Sequence, residues 1–226
     1  MKVFLVWMMF FSFLGLFGCA NDYDYKKVEQ AAVQGDAKAQ VLLGLYYVNG
    51  KHGFPQDIQK AFQWFEKAAL QGNSDGELNL GITYTKFGTE DGYKKAKEWF
   101  EKSAAQGNTQ AIYSLGFLHH EGLGVEKNLQ KAIRYYEIAA KQDQLDAMYN
   151  LGNLYATGEG VPQDYKKAVE LWRKVSAKGE PDALYNLGIM YLTGKGVEKS
   201  YINAKKLFKQ ACKRGGQPAC KILNQL

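Results

Sequence analysis

The sequence predicts an all-α fold, an α-solenoid of about five stacked antiparallel helix pairs with partial helices capping the ends. Three observations carry this. A Leu-Gly pair recurs at Leu43-Gly44, Leu80-Gly81, Leu115-Gly116, Leu151-Gly152 and Leu187-Gly188, with glycine intervals of 37, 35, 36 and 36 residues. An alanine keeps step with it at Ala61, Ala96, Ala132, Ala168 and Ala204. Between the two positions lies a glycine-rich loop. A period near 36 is that of a helical hairpin, which cannot bury its apolar face alone and must be completed by its neighbours.

Residues 1–18 stand apart. Lys2 is followed by an uncharged run from Val3 to Gly18, shorter than the roughly 20 residues of a spanning helix. The run ends Leu16-Phe17-Gly18-Cys19, which resembles a bacterial lipobox. We expect cleavage before Cys19 and acylation of that cysteine, an ordinary signal peptide or an uncleaved anchor being the alternatives. Residues 19–36 then comprise the lipid anchor, a short tether and an N-terminal cap, with a shortened helix from Asp24 to Gln34. The few residues of tether reach at most about 20 Å, which keeps the array close to a membrane.

Residues 37–217 hold the five repeats, and the fourth is the clearest. In its first helix Ala147, Leu151, Leu154 and Tyr155 share one face, joined by Gly152. A helical glycine costs about 1 kcal/mol relative to alanine, so its recurrence implies a partner helix too close for a side chain. The second helix opens on a residue suited to capping, Asp57, Asn128, Asp164 or Ser200, four before the repeat alanine. Ala168, Leu171, Trp172 and Val175 form its buried stripe, matched by Ala204, Leu207, Phe208 and Ala211. In the loops, Val125, Val161 and Val197 follow paired glycines and are expected to turn inward. The second repeat departs from the pattern, because Phe87 to Gly92 is a shorter loop without the valine and Gly76 replaces an alanine. We expect that repeat to be the loosest.

Residues 218–226 read as the start of another first helix, a C-terminal cap. Cys212 and Cys220 flank the turn before it. In a chain that reads as exported, this even pair without an accompanying histidine points to a disulfide rather than a metal or redox site. Charge is uneven: residues 195–226 carry eight Lys or Arg against Glu198 alone. That end suits an acidic partner or an anionic surface, or is simply a solvated helix.

Together, A-x3-L-G-x2-Y, the Gly-x-Gly-Val loop, an acid, K-A-x2-W/F and A-x-x-G resemble the Sel-one-like repeat, a relative of the tetratricopeptide repeat. The Cys-x7-Cys spacing resembles cysteine-rich exported members, in which such pairs link adjacent helices. The resemblance implies that the first helices line a concave, partner-binding surface. Tyr113, Tyr149 and Tyr185 would form one ladder there, and Asn79, Asn150 and Asn186 a second, with Asn153 beside it and His120 as a further contact. Asparagine offers both a donor and an acceptor to an extended backbone. Equally, the tyrosines could pack on neighbouring helices and the asparagines bond locally.

The implied function is a lipid-anchored, non-catalytic interaction module of the bacterial envelope, facing the periplasm or the cell surface, with the outer membrane preferred. Its partner would be a protein or peptide, and the chain is expected to be a monomer that binds no nucleic acid and needs no cofactor or metal. Among such relatives, a recurring role is immunity against a toxic secreted effector such as a lipase; β-lactam binding or hydrolysis is a second alternative. Against the latter, Ser-x-x-Lys and Lys-Thr-Gly motifs are absent, as are HExxH, a P-loop and a nucleophile elbow, so no catalytic residue is assigned. His119-His120-Glu121 is the one cluster that suggests a metal, but adjacent helical residues point about 100° apart, and His119 takes a core aromatic position.

Overall fold

A computed structural model describes residues 25–225; the signal segment, Cys19 and Asp24 lie outside them. Twelve helices and no strand occur among the described residues, as the fold-class reading expects: α1 Tyr25–Val33, α2 Ala37–Asn49, α3 Ile58–Leu70, α4 Ser74–Lys86, α5 Glu90–Ala105, α6 Thr109–Glu121, α7 Leu129–Lys141, α8 Leu145–Thr157, α9 Tyr165–Ala177, α10 Pro181–Thr193, α11 Tyr201–Lys213 and α12 Gln217–Leu223. Packing divides them into two units, one up to Lys127 and one from Asn128.

Capping determines where the helices begin. Asp57, Asn128 and Asp164 each accept the backbone N–H three residues on, at 2.9, 2.9 and 3.1 Å, and Ser200 does so at 3.3 Å. Each satisfies a donor that the first helical turn leaves unpaired. The first helices mostly end on a left-handed glycine, Gly50, Gly122, Gly158 or Gly194, where only glycine avoids the Cβ penalty.

In the first unit, Val28 and Ala32 of α1 cover Ala39 and Leu43 of α2. Phe65, Ala61 and Leu80 form the next core layer. The second unit is built around Met148, Val169, Trp172 and Leu187, and Ala219 of α12 closes its end over Leu184 and Phe208. The five repeat alanines of the second helices are all 0% exposed. Opposite them the repeat glycines admit large rings: a Cβ on Gly152 would lie 2.6 Å from Trp172 Nε1, and one on Gly188 2.6 Å from Phe208. Val197 packs against the second unit's core, while Val125 and Val161 are half-buried.

The second repeat is not loose. Its short loop lets α5 begin early, capped by Thr89 on the Gly92 N–H at 3.0 Å, and run for 16 residues against 13 for the other second helices. Gly76 marks close packing, since a Cβ there would meet Ala68 at 2.7 Å and the Ala69 nitrogen at 2.8 Å. Polar bonds link the two helices within each of the first two hairpins: Gln71 donates to Gln40 at 2.8 Å, Gln106 to Glu77 at 2.7 Å, and Ser103 to the Ser74 carbonyl at 2.8 Å.

Candidate functional site

In the second unit, α8 and α10 are the first helices of consecutive hairpins, and their matching positions lie side by side. Asn186 on α10 donates from Nδ2 to the Tyr149 hydroxyl at 3.4 Å and to Asn153 Oδ1 at 3.3 Å, both on α8. These distances sit at the long edge of hydrogen bonding, so the bonds are weak ones. The side chains are half-buried. They are therefore ordered but within reach of a ligand, which could replace these bonds with shorter ones.

The phenol is held neutral. Burial raises the Tyr149 pKa above its ordinary value, the Asp182 carboxylate raises it further, and the hydrogen bonds from Asn153 and Asn186 oppose the rise in part. The Tyr149 carbonyl also accepts from Trp172 Nε1 at 3.3 Å, which ties the site to the core beneath it. Glu180 is likewise raised, chiefly by burial and then by Asp146 and Asp182, with Arg214 pulling the other way. These acids escaped the sequence reading, although Asp75, Asp146 and Asp182 share the second position of their helices and could have been noticed as a set. The arrangement offers amides, a phenol and carboxylates but no activated nucleophile, a chemistry suited to binding.

The other sequence-derived positions divide. Asn150 is half-buried on α8, next to the network. Tyr185 is also half-buried, but its ring packs on Phe208 with centroids 5.8 Å apart, so it belongs partly to the core. Tyr113 must be withdrawn as a contact: at 4% exposure it has no surface to present. His120 is half-buried, and His119, at 7% exposure, takes the core position expected of it. Asn79 donates to the Asp75 carbonyl of its own helix at 2.8 Å, the local alternative. Among the described residues no group of three His, Cys, Asp or Glu could hold a metal ion. Cys212 and Cys220 are brought to disulfide distance, Cα–Cα 4.8 Å, joining α11 to α12.

A family model described as Sel1 repeat matches five segments, residues 37–73, 74–108, 109–144, 145–180 and 181–216. Among solved structures, a Sel1 repeat protein from Oxalobacter formigenes aligns at TM-score 0.76 with 32% identity, over 89% of this chain and 83% of that one. The protein c5321, described as a protective antigen present in uropathogenic Escherichia coli strains and displaying an SLR fold, aligns at TM-score 0.75 with 33% identity, over 87% of this chain and 42% of that one. A curated relative, the ERAD-associated E3 ubiquitin-protein ligase component HRD3B of Arabidopsis thaliana, is 33% identical over 107 residues, which is 46% of this chain and 17% of the relative. This chain thus matches under a fifth of that relative's length.

Proposed function

Because the chain belongs to the Sel1 repeat family, whose members are non-catalytic protein-interaction scaffolds, we propose that it captures a protein or peptide partner on its first helices while held to the bacterial envelope by a lipid on Cys19. The observation that carries the reading is the cluster of Tyr149, Asn153 and Asn186, in which Asn186 is held to the other two by long bonds of 3.4 and 3.3 Å. A segment of extended backbone needs alternating donors and acceptors, which amide side chains supply whatever its sequence. Tyr149 adds rigid apolar area. The sequence around Cys19 supports the anchor, and several acyl chains would make attachment effectively permanent. In an oxidising periplasm or at the cell surface, Cys212 and Cys220 would be bridged.

Affinity purification of the membrane-released protein from its own host, beside the triple variant Asn150→Ala, Asn153→Ala, Asn186→Ala, tests capture. The expected result is a partner retained by the wild type and lost by the variant; a partner retained equally by both would overturn the assignment of the site. A secreted effector such as a lipase among the retained proteins would make the module an immunity protein. Metabolic acyl labelling tests the anchor, and label on Cys19→Ser at the wild-type level would overturn it.

A further inference from the structure

The fifth hairpin carries a surface that capture by the first helices does not use. On α11, Tyr201, Lys205, Lys209 and Lys213 recur every four residues and so share one face, with Ile202 and Lys206 one step round the helix. Glu198 is the one acid in residues 195–226. Among the described residues no carboxylate forms an ion pair with Lys205, Lys206, Lys209 or Lys213, and Lys205 Nζ lies 5.8 Å from the centroid of the Tyr201 ring.

The head of this ridge is apolar, against the habit of the repeat. The position of Ile202 is held by Gln59, Lys94, Gln130 and Lys166 in the other repeats. Ile202 is 81% exposed, and Tyr201 beside it is 46% exposed. In the same unit, Leu129 and Tyr165 occupy the position of Tyr201 and lie beneath the loop glycines Gly160 and Gly196. Among the described residues no such loop glycine lies over Tyr201.

A ridge that faced only water would gain nothing from an isoleucine there. A second copy docked face to face would set lysine against lysine. An acidic protein would satisfy the charges, but it would also need an apolar spot in register with Ile202. An anionic leaflet supplies both, phosphates at the level of the lysine heads and hydrocarbon below them, where lysine stems and a branched side chain are favoured.

We propose that this face of α11 docks on an anionic bilayer, with Ile202 and Tyr201 entering the interface and the lysines engaging lipid phosphates. The affinity resides in the face itself. It rests on the proposed lipid anchor only in that a tether would raise its effective concentration at the membrane.

The test uses the chain starting at Ala20, which keeps every described residue and lacks Cys19. Vesicles of phosphatidylglycerol and phosphatidylethanolamine should co-sediment with it at low salt, and vesicles of phosphatidylcholine should not. Lys205→Glu with Lys209→Glu should weaken binding roughly tenfold or more. Ile202→Ser should weaken it about threefold to tenfold without changing its salt dependence. Circular dichroism should show both variants folded. Absence of binding to the anionic vesicles, equal binding to phosphatidylcholine, or an Ile202→Ser variant that binds like the wild type would each overturn the proposal. Retention of a soluble acidic protein by this face without lipid binding would also overturn it, in favour of a protein partner. Because this chain carries no acyl group, such a failure leaves the test of Cys19 acylation unaffected.

Discussion

Gly152→Ala puts a single methyl where helices meet, and its cost can be worked from the contacts. The new Cβ would lie 2.6 Å from Trp172 Nε1 and 2.9 Å from Cδ1, whereas carbon atoms rest about 3.5–4.0 Å apart. The indole must therefore retreat by nearly 1 Å, and at 3% exposure it is enclosed by the core. Overpacking of this kind costs about 1–3 kcal/mol. Retreat also breaks the Trp172 bond to the Tyr149 carbonyl, worth about 1 kcal/mol. Alanine recovers about 1 kcal/mol of helix propensity. The net is a loss of about 2 kcal/mol, or roughly 4–8 °C in Tm for a chain of this size. Thermal and urea unfolding of the single variant, of Trp172→Ala and of the double variant provide the measurement. In the Trp172→Ala background the methyl has room, so Gly152→Ala should become neutral or stabilising there by up to about 1 kcal/mol. A Gly152→Ala protein as stable as the wild type, or a double variant showing no relief, would refute the close-contact reasoning.

Replacing Asn150, Asn153 and Asn186 by alanine should leave unfolding largely unchanged and weaken capture by about 1–3 kcal/mol per desolvated contact; variants as destabilised as Gly152→Ala would make the cluster structural. Glu77 is 4% exposed and its pKa is raised, first by burial, with Gln106 and Lys102 opposing. A folded pKa above the unfolded one gives stability that is full at low pH and is lost as pH rises through the folded value. Glu77→Gln, whose amide oxygen can still accept from Gln106, should therefore raise the urea midpoint at neutral pH and flatten its pH dependence; a lower midpoint would contradict this. Opening the Cys212–Cys220 loop, a sequence separation of 8, should cost up to about 3 kcal/mol in the chain-entropy model. Hydrogen exchange should localise that loss to α11 and α12, and thiol labelling of both cysteines in protein taken from its own host would show that no bridge forms.

Periodicity and capping chemistry made the helices legible. Asp57, Asn128, Asp164 and Ser200 mark helix starts because an orphaned N–H demands an oxygen there, a requirement local enough to read from four residues. Burial of a repeat position is not local in this way. Tyr113 and Tyr149 hold the same place in their repeats, yet one is 4% exposed and the other half-buried. The second repeat misled for a related reason. A short loop and a glycine at position 76 read as weakness, whereas the early Thr89 cap and the close approach of Ala68 turn both into tighter packing. Asp182 acts on Tyr149 through space from another helix, which no single-helix pattern displays.

The five alanines at 0% exposure, one in each second helix, bear on how such a chain changes over generations. Each marks the same tight seam, met by the same small residue at intervals of 35 or 36 residues. Where every seam is cut to one gauge, a whole hairpin can be duplicated or excised by recombination in register, and the flanking surfaces still meet. Length, and with it the extent of surface offered to other molecules, thereby becomes a trait that selection can adjust in whole modules without inventing a new core.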